Sequence, residues 1–183
     1  MRKIILNQAA SLDGYIEGPN GEYDWCFTDQ DYGMTEFYNT IDVIFMGRKS
    51  YEMIMTDPGA FADKKIYVFS DTLLMVIHNN AEIIPRAQFK QRVEEIRNEE
   101  GGNIWLFGGA DLVTSFITAN LITILVLSVH PVILGGGKRL FDGADYNTEL
   151  ILEEHQAFSS GLVQLKYLLK PKLDYSLFIP GAI

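Results

Sequence analysis

Twice in this chain a short apolar run stops on glycine and passes straight into a helical periodicity. "DVIFM" at 42–46 meets Gly47 and then "RKSYEMI", while "NIWLF" at 103–107 meets Gly108, Gly109 and then "ADLVTSFIT". Runs this short, apolar throughout and bounded by turn residues suit strands buried on both faces, as in a parallel sheet covered by helices. Residues 2–10 and "KIYVF" at 65–69 belong to the same set. Helices are expected between these runs, at about 32–39, 47–55, 86–99 and 109–119. The third is the clearest, with Phe89, Val93 and Ile96 on one stripe and Gly101 and Gly102 as its stop. The class is α/β.

Beyond residue 120 the pattern changes to long strands, "LITILVLSVHPVIL", then "ELILEEHQAF" and "VQLKYLLK" joined by "SSG" in the manner of a hairpin. An antiparallel C-terminal edge on a mainly parallel sheet follows. A chain of 183 residues, 48% hydrophobic and 21% charged, is long enough for one substantial core. One domain is expected over residues 1–170, with an apolar tail at 171–183 that packs on it or on a partner subunit.

Charge removes several function classes. At a formal −9 the chain has no Lys/Arg block to neutralise a nucleic-acid backbone or an anionic membrane surface. Any bound phosphate must be held locally. The single cysteine, Cys26, forms no intramolecular disulfide, and three scattered histidines have no metal-ligand spacing. "MRKIILNQAA" is too short an apolar stretch for a signal segment, and no run approaches a membrane span. A cytoplasmic protein that neither spans a membrane nor is exported is expected.

The glycines at the two strand ends lie where open α/β sheets bind ligands. Free N–H groups at a helix start form an anion site without needing Lys or Arg, and glycine lets a pyrophosphate approach the backbone. Arg48, Lys49 and Ser50 add side-chain donors at the first junction. A pair of tight turns would leave the same sequence, so both readings stand. Neither junction is G-x-G-x-x-G, and "GGGKRLF" at 135–141 is not a Walker A loop, because no Ser or Thr follows its Lys.

The order of segments carries a resemblance. "LNQAASLDGYIEG", "DVIFMGRKSYEMI", "KIYVFSDT", "IWLFGGADLVTSFITANLIT" and "LSVHPVILGGGKRLF" follow one another as in the dihydrofolate reductase-like superfamily. Within it the chain most resembles the reductase domains related to the C-terminal part of the riboflavin-biosynthesis deaminase-reductase, the RibD C-terminal domain family, over roughly residues 1–170. The resemblance implies a three-layer α/β/α fold on an eight-stranded, mostly parallel sheet, NADPH as hydride donor, and a homodimer. It also implies that Gly47, Arg48, Lys49 and Ser50 hold the cofactor phosphates from one side, and Gly108, Gly109, Ala110, Asp111 and Leu112 from the other. Ser70, Asp71 and Thr72 match the adenosine-ribose region, where an acid suits a 2'-hydroxyl better than a 2'-phosphate. The nicotinamide would lie against Ala9, Ala10 and Ile16.

For the substrate, strand alternation puts Asn7 on a face with Ile5 and Ala9. Buried there it needs a partner, either the substrate or a backbone group. Asp13 of "SLDG" is, by resemblance, in the loop closing over the nicotinamide, and equally suits a turn before Gly14. Asn7 and Asp13 are the catalytic candidates. Ser128 falls where folate enzymes carry a pocket hydroxyl, though a serine bonded to the sheet is the plainer reading. Trp25, with Tyr23 and Phe27, offers a flat wall for a heterocycle or a core beneath a loop.

Two departures narrow the expectation. Asp29, Asp31 and Glu36 give no clear match to the acid that grips a pteridine, which argues against dihydrofolate. The zinc deaminase signature is absent, and no arginine cluster suits a ribose phosphate, with Arg48 at the cofactor and Arg86, Arg92 and Arg97 in or beside a helix. The expected activity is an NADPH-dependent reduction of a C=N or C=O bond in a small, pterin- or pyrimidine-like molecule. The rival is a nucleotide-binding or dimerisation module that keeps the fold without turnover.

Overall fold

The computed structural model describes residues 1–143 and 147–170. In chain order the elements are β1 (Ile4–Ser11), β2 (Tyr15–Glu17), α1 (Met34–Asn39), β3 (Ile41–Gly47), α2 (Arg48–Ile54), β4 (Lys65–Phe69) and β5 (Ala81–Ile84). A 3-10 turn at Arg86–Gln88 leads into α3 (Phe89–Asn98), followed by β6 (Asn103–Gly108), α4 (Ala110–Thr118), β7 (Ile124–His130), β8 (Lys138–Arg139), β9 (Leu150–Ala157) and β10 (Val163–Leu169).

Eight strands form one sheet in the order β5-β4-β3-β6-β1-β7-β10-β9. From β5 to β7 every neighbour is parallel; β10 then joins β7 antiparallel and pairs with β9. The alternation of β3 sorts the core into two layers. Val43 and Phe45 pack with Val93 and Ile96 of α3 and with Val113 and Phe116 of α4. Ile44 and Met46 face the other way, onto Tyr51 of α2 and Phe37 of α1. Helices therefore cover both faces of the parallel part, as the uniformly apolar strands require.

The expected hairpin is present, with Gly161 turning at φ +90 between β9 and β10. Three features differ from expectation. The run 121–134 yields a strand only over Ile124–His130, because Pro131 has no N–H to continue a ladder. "AEII" forms a strand, β5, beside β4, too short to show a period of its own. A separate two-stranded sheet joins β2 to β8, two elements of three and two residues. The tail at 171–183 lies outside the described residues.

Candidate active site

Because β3 and β6 are parallel neighbours, with Met46 opposite Gly108, their two glycine junctions emerge side by side at one edge of the sheet. A Cβ on Gly47 would stand 3.6 Å from both Gly108 O and Gly109 N, and one on Gly109 would stand 3.8 Å from Ser50 Oγ. Gly108 has φ +115, a conformation that L residues avoid. Neither Gly47 nor Gly109 caps its helix with a side chain; Leu112 N already donates to the Gly109 carbonyl at 3.0 Å, which leaves the Ala110 and Asp111 amides at the start of α4 for another acceptor.

These junctions line a cleft of about 800 Å³ that extends past Ser70, Asp71 and Thr72 to Arg86 and Lys90. Register explains the extension: β5 lies beside β4 with Phe69 opposite Ile84, so the residues following both strands reach the same edge. Asp71 Oδ1 accepts the backbone N–H of Arg86 at 2.7 Å. Asp111, at the start of α4, accepts from Lys138 Nζ at 2.9 Å, and that contact holds its carboxyl below the ordinary carboxylate pKa. Arg48, Lys49, Arg86, Lys90 and Lys138 make the wall cationic in an acidic protein.

A second cavity, of about 240 Å³, lies on the β1–β7 face and is bordered by Asn7, Gln8, Ala9, Trp105, Phe107, Ser128 and His130, with Cys26 and Phe27 of the loop before α1 and Met34 at the start of α1 closing it. Gly108 lies between the two cavities, since its Cβ would come 3.6 Å from Gln8 Oε1. Among the described residues the Asn7 side chain hydrogen-bonds only the Met34 thioether, Nδ2 to Sδ at 3.6 Å. Ser128 Oγ accepts the Gln164 amide at 3.2 Å. Burial holds the His130 imidazole pKa below its ordinary value.

The sequence profile of the RibD C-terminal domain matches residues 2–164. The chain belongs to the RibD C-terminal domain family. It is similar to the uncharacterized protein YyaP of Bacillus subtilis (strain 168), 41% identical over 179 residues, covering 91% of this chain and 94% of that one. Among solved structures it is similar to a diaminohydroxyphosphoribosylaminopyrimidine deaminase/5-amino-6-(5-phosphoribosylamino)uracil reductase from Thermotoga maritima. There the TM-score is 0.71 at 13% identity, over 92% of this chain and 57% of that one. A dihydrofolate reductase from Enterococcus faecalis, complexed with NADP(H) and RAB-propyl, superposes with a TM-score of 0.66 at 14% identity, over 92% of this chain and 96% of that one. The fold is dihydrofolate reductase-like, as expected.

This RibD C-terminal domain gathers most of the residues singled out in its sequence. Gly47, Arg48, Lys49, Ser50, Ser70, Asp71, Thr72, Gly109, Ala110, Asp111 and Leu112 line the large cleft, with Gly108 against it; Asn7, Ala9 and Ser128 line the small cavity. Other residues lie elsewhere. Ala10 is sealed in the sheet and Ile16 packs on the core, so neither borders a cavity. Trp25 stands behind the small cavity, its ring 5.3 Å from that of His130, while Phe27 forms the wall and Tyr23 is exposed.

Asp13 lines neither cavity. Its oxygens accept from Ser11 Oγ at 2.7 Å, Leu134 N at 3.1 Å and Gly135 N at 2.8 Å, and these bonds, Ser11 foremost, lower its pKa to about 2. An acid so depressed holds no proton to give near neutrality. Its place is to tie the β1–β2 turn to the loop before β8. Asp31 likewise accepts from Thr35, and Asp29 from the Tyr32 hydroxyl. Arg86 lies beside a helix as expected, in the 3-10 turn before α3, and from there it also lines the cleft. Sequence reasoning also missed Lys90, Lys138 and His130, which only the packing of α3, β8 and β7 brings to the cavities.

Proposed function

We propose that the protein is an NADPH-dependent reductase of a C=N or C=O bond in a small, uncharged, pyrimidine- or pterin-like heterocycle. The observation that carries this reading is the meeting of the two glycine junctions in one cationic cleft that reaches, through Gly108 and Gln8, an aromatic cavity. The residues fit the cofactor. The opening amides of α4 suit a pyrophosphate, Arg48 and Lys49 offset its charge, and Arg86 and Lys90 beside Ser70 and Thr72 suit a 2'-phosphate. When bound, the nicotinamide supplies the hydride. Ala9 offers it a small surface, Asn7 and Ser128 orient the substrate, and Trp105, Phe107 and Phe27 exclude water.

The same reading takes residues 1–170 as the reductase domain of a cytoplasmic homodimer. The exposed β9 edge, with Leu150, Ile151 and Leu152 each 41–50% exposed, supports the dimer. Among the described residues no helix is long and apolar enough to cross a membrane. A second reading, a nucleotide-binding module without turnover, is favoured by the engagement of Asp13, which removes one proton donor.

The test is separate titration with NADPH and NADH, followed by fluorescence of Trp25 and Trp105, on the wild type and on Gly109→Asp. Gly109 has φ −77, so aspartate fits and caps α4, taking with its carboxylate the amides that a phosphate needs. NADPH binding in the wild type, lost in a folded variant, is expected. Wild-type protein that binds neither cofactor would overturn the reductase reading, while binding with no oxidation of NADPH by any pterin, pyrimidine or carbonyl compound would leave the module.

A further inference from the structure

Two buried side chains that border neither cavity share one closed hydrogen-bond network. Tyr51 of α2 is fully enclosed, and His78, in the segment entering β5, is 4% exposed. His78 Nε2 lies 2.9 Å from the Asp57 carbonyl, and Nδ1 lies 2.8 Å from the Tyr51 hydroxyl oxygen. That oxygen accepts the backbone N–H groups of Ile77 at 3.0 Å and His78 at 3.3 Å, which takes both of its lone pairs. The Tyr51 hydroxyl must therefore donate, and Nδ1 must be bare to receive it. A carbonyl only accepts, so Nε2 carries the ring's proton. Every donor and acceptor of the two side chains is engaged, as burial demands.

The network joins the two cationic walls of the large cleft from beneath. On one side α2 opens with Arg48 and Lys49, and of its seven residues only Ser50 and Tyr51 are buried, so Tyr51 is its anchor. On the other, Ile77 and His78 lead into β5, which pairs with β4 as far as Ile84 and is followed by Arg86 and Lys90 on the cleft. Asn80 ties the same segment to the loop after α2, its amide donating to the Phe61 and Lys64 carbonyls at 2.8 and 2.6 Å. We propose that Tyr51 and His78 are positioning residues for cofactor choice, their network setting the gap between the cations that open α2 and those that follow β5, so that one dinucleotide reaches both with its pyrophosphate and its 2'-phosphate. This rests on the reductase reading, which makes the cleft the cofactor's. Two charged groups on one molecule add their attractions only where the sites are spaced to match. Loosening the network therefore costs NADPH more than NADH, which has no 2'-phosphate.

The test titrates NADPH and NADH separately against the full chain as wild type, Tyr51→Phe, Arg86→Ala and the double variant. Tyr51→Phe keeps the buried ring and removes the hydroxyl. The wild type is expected to favour NADPH, and Tyr51→Phe to weaken NADPH roughly three- to tenfold while NADH stays within about twofold. Once Arg86 is replaced by alanine, the same substitution should weaken NADPH less than about twofold, because its effect acts through that cation. A role in stability alone would weaken both cofactors alike and act equally in either background. His78→Asn, whose amide oxygen reaches the place of Nδ1 and accepts from Tyr51, should keep most of the preference that His78→Ala loses. In 15N-histidine spectra of the wild type, His78 is expected to be protonated at Nε2 with Nδ1 bare. Equal losses for NADPH and NADH, or an undiminished loss beside Arg86→Ala, would overturn the proposal, as would a wild type that binds both cofactors equally. Where Tyr51→Phe fails to fold, the two His78 variants carry the same comparison, and a protonated Nδ1 in the wild type overturns the proposal in any case. Failure of the reductase reading shows separately, as wild-type protein that binds neither cofactor.

Discussion

The Asp71 carboxylate holds Arg86 at two points, accepting its backbone N–H at 2.7 Å through Oδ1 and lying 3.6 Å from its Nε through Oδ2. An acid that seemed to oppose a 2'-phosphate instead steadies a cation beside it. Arg86→Ala is expected to weaken NADPH binding roughly three- to tenfold and leave NADH within about twofold, the modest size reflecting an exposed, screened side chain. The effect should shrink as salt rises. Equal losses for both cofactors in parallel titrations would remove Arg86 from 2'-phosphate recognition.

Gly108 joins β6 to the cleft at φ +115, and the nearest atom to an added Cβ is Gln8 Oε1 at an ordinary 3.6 Å. The cost of Gly108→Ala is therefore backbone strain rather than crowding. A loss of about 1–3 kcal/mol is expected, seen as a fall in Tm of roughly 2–10 °C. An unchanged Tm in calorimetry would show that the chain relaxes there.

Asp13 predicts a pH dependence. Its folded pKa is lowered from 3.8 to about 2 by Ser11 Oγ and the Gly135 and Leu134 amides, so its contribution is present above 3.8 and lost as pH falls through about 2. Asp13→Asn lacks that ionisation. The stability gap between wild type and variant should hold steady above pH 3.8 and narrow toward pH 2, as measured by thermal melts across that range.

Phe116 of α4 is fully buried, with the rings of Phe45, Phe69 and Phe89 at 5.6, 5.7 and 5.0 Å. Phe116→Ala should cost about 3–5 kcal/mol in denaturant unfolding. A cost under about 1 kcal/mol would mean that the aromatic cluster collapses into the space.

On β9, Ile151→Lys places a charge on an exposed edge where a second copy would pair. Light scattering should show a dimer for the wild type and a monomer for the variant. A monomeric wild type would remove the homodimer.

The sequence by itself determined the longer elements and their kind, though not the short strands β2, β5 and β8. Strand β4 is found at the residues expected, β3 and β6 within one residue at either end, and α4 inside its expected span, because short apolar runs bounded by glycine or serine leave the chain few alternatives. It also located the two glycine junctions that line the cleft, since a helix start after glycine exposes amides whatever lies around it. Tertiary structure decided the rest, because strand order is not local. Only the insertion of β6 between β3 and β1 sets Gly47 against Gly109. Only the pairing of β5 with β4 turns Arg86 into the cleft, and β5 is too short for its four residues to display a period. His130 gave no local signal either: its enclosure comes from β7 beside β1, with Ser11 opposite His130, and from Trp25 and Phe27 folding over from a distant loop. Hydrophobic periodicity reports which face a residue takes, whereas a site is made by contacts between residues far apart in the chain, and these are set by packing.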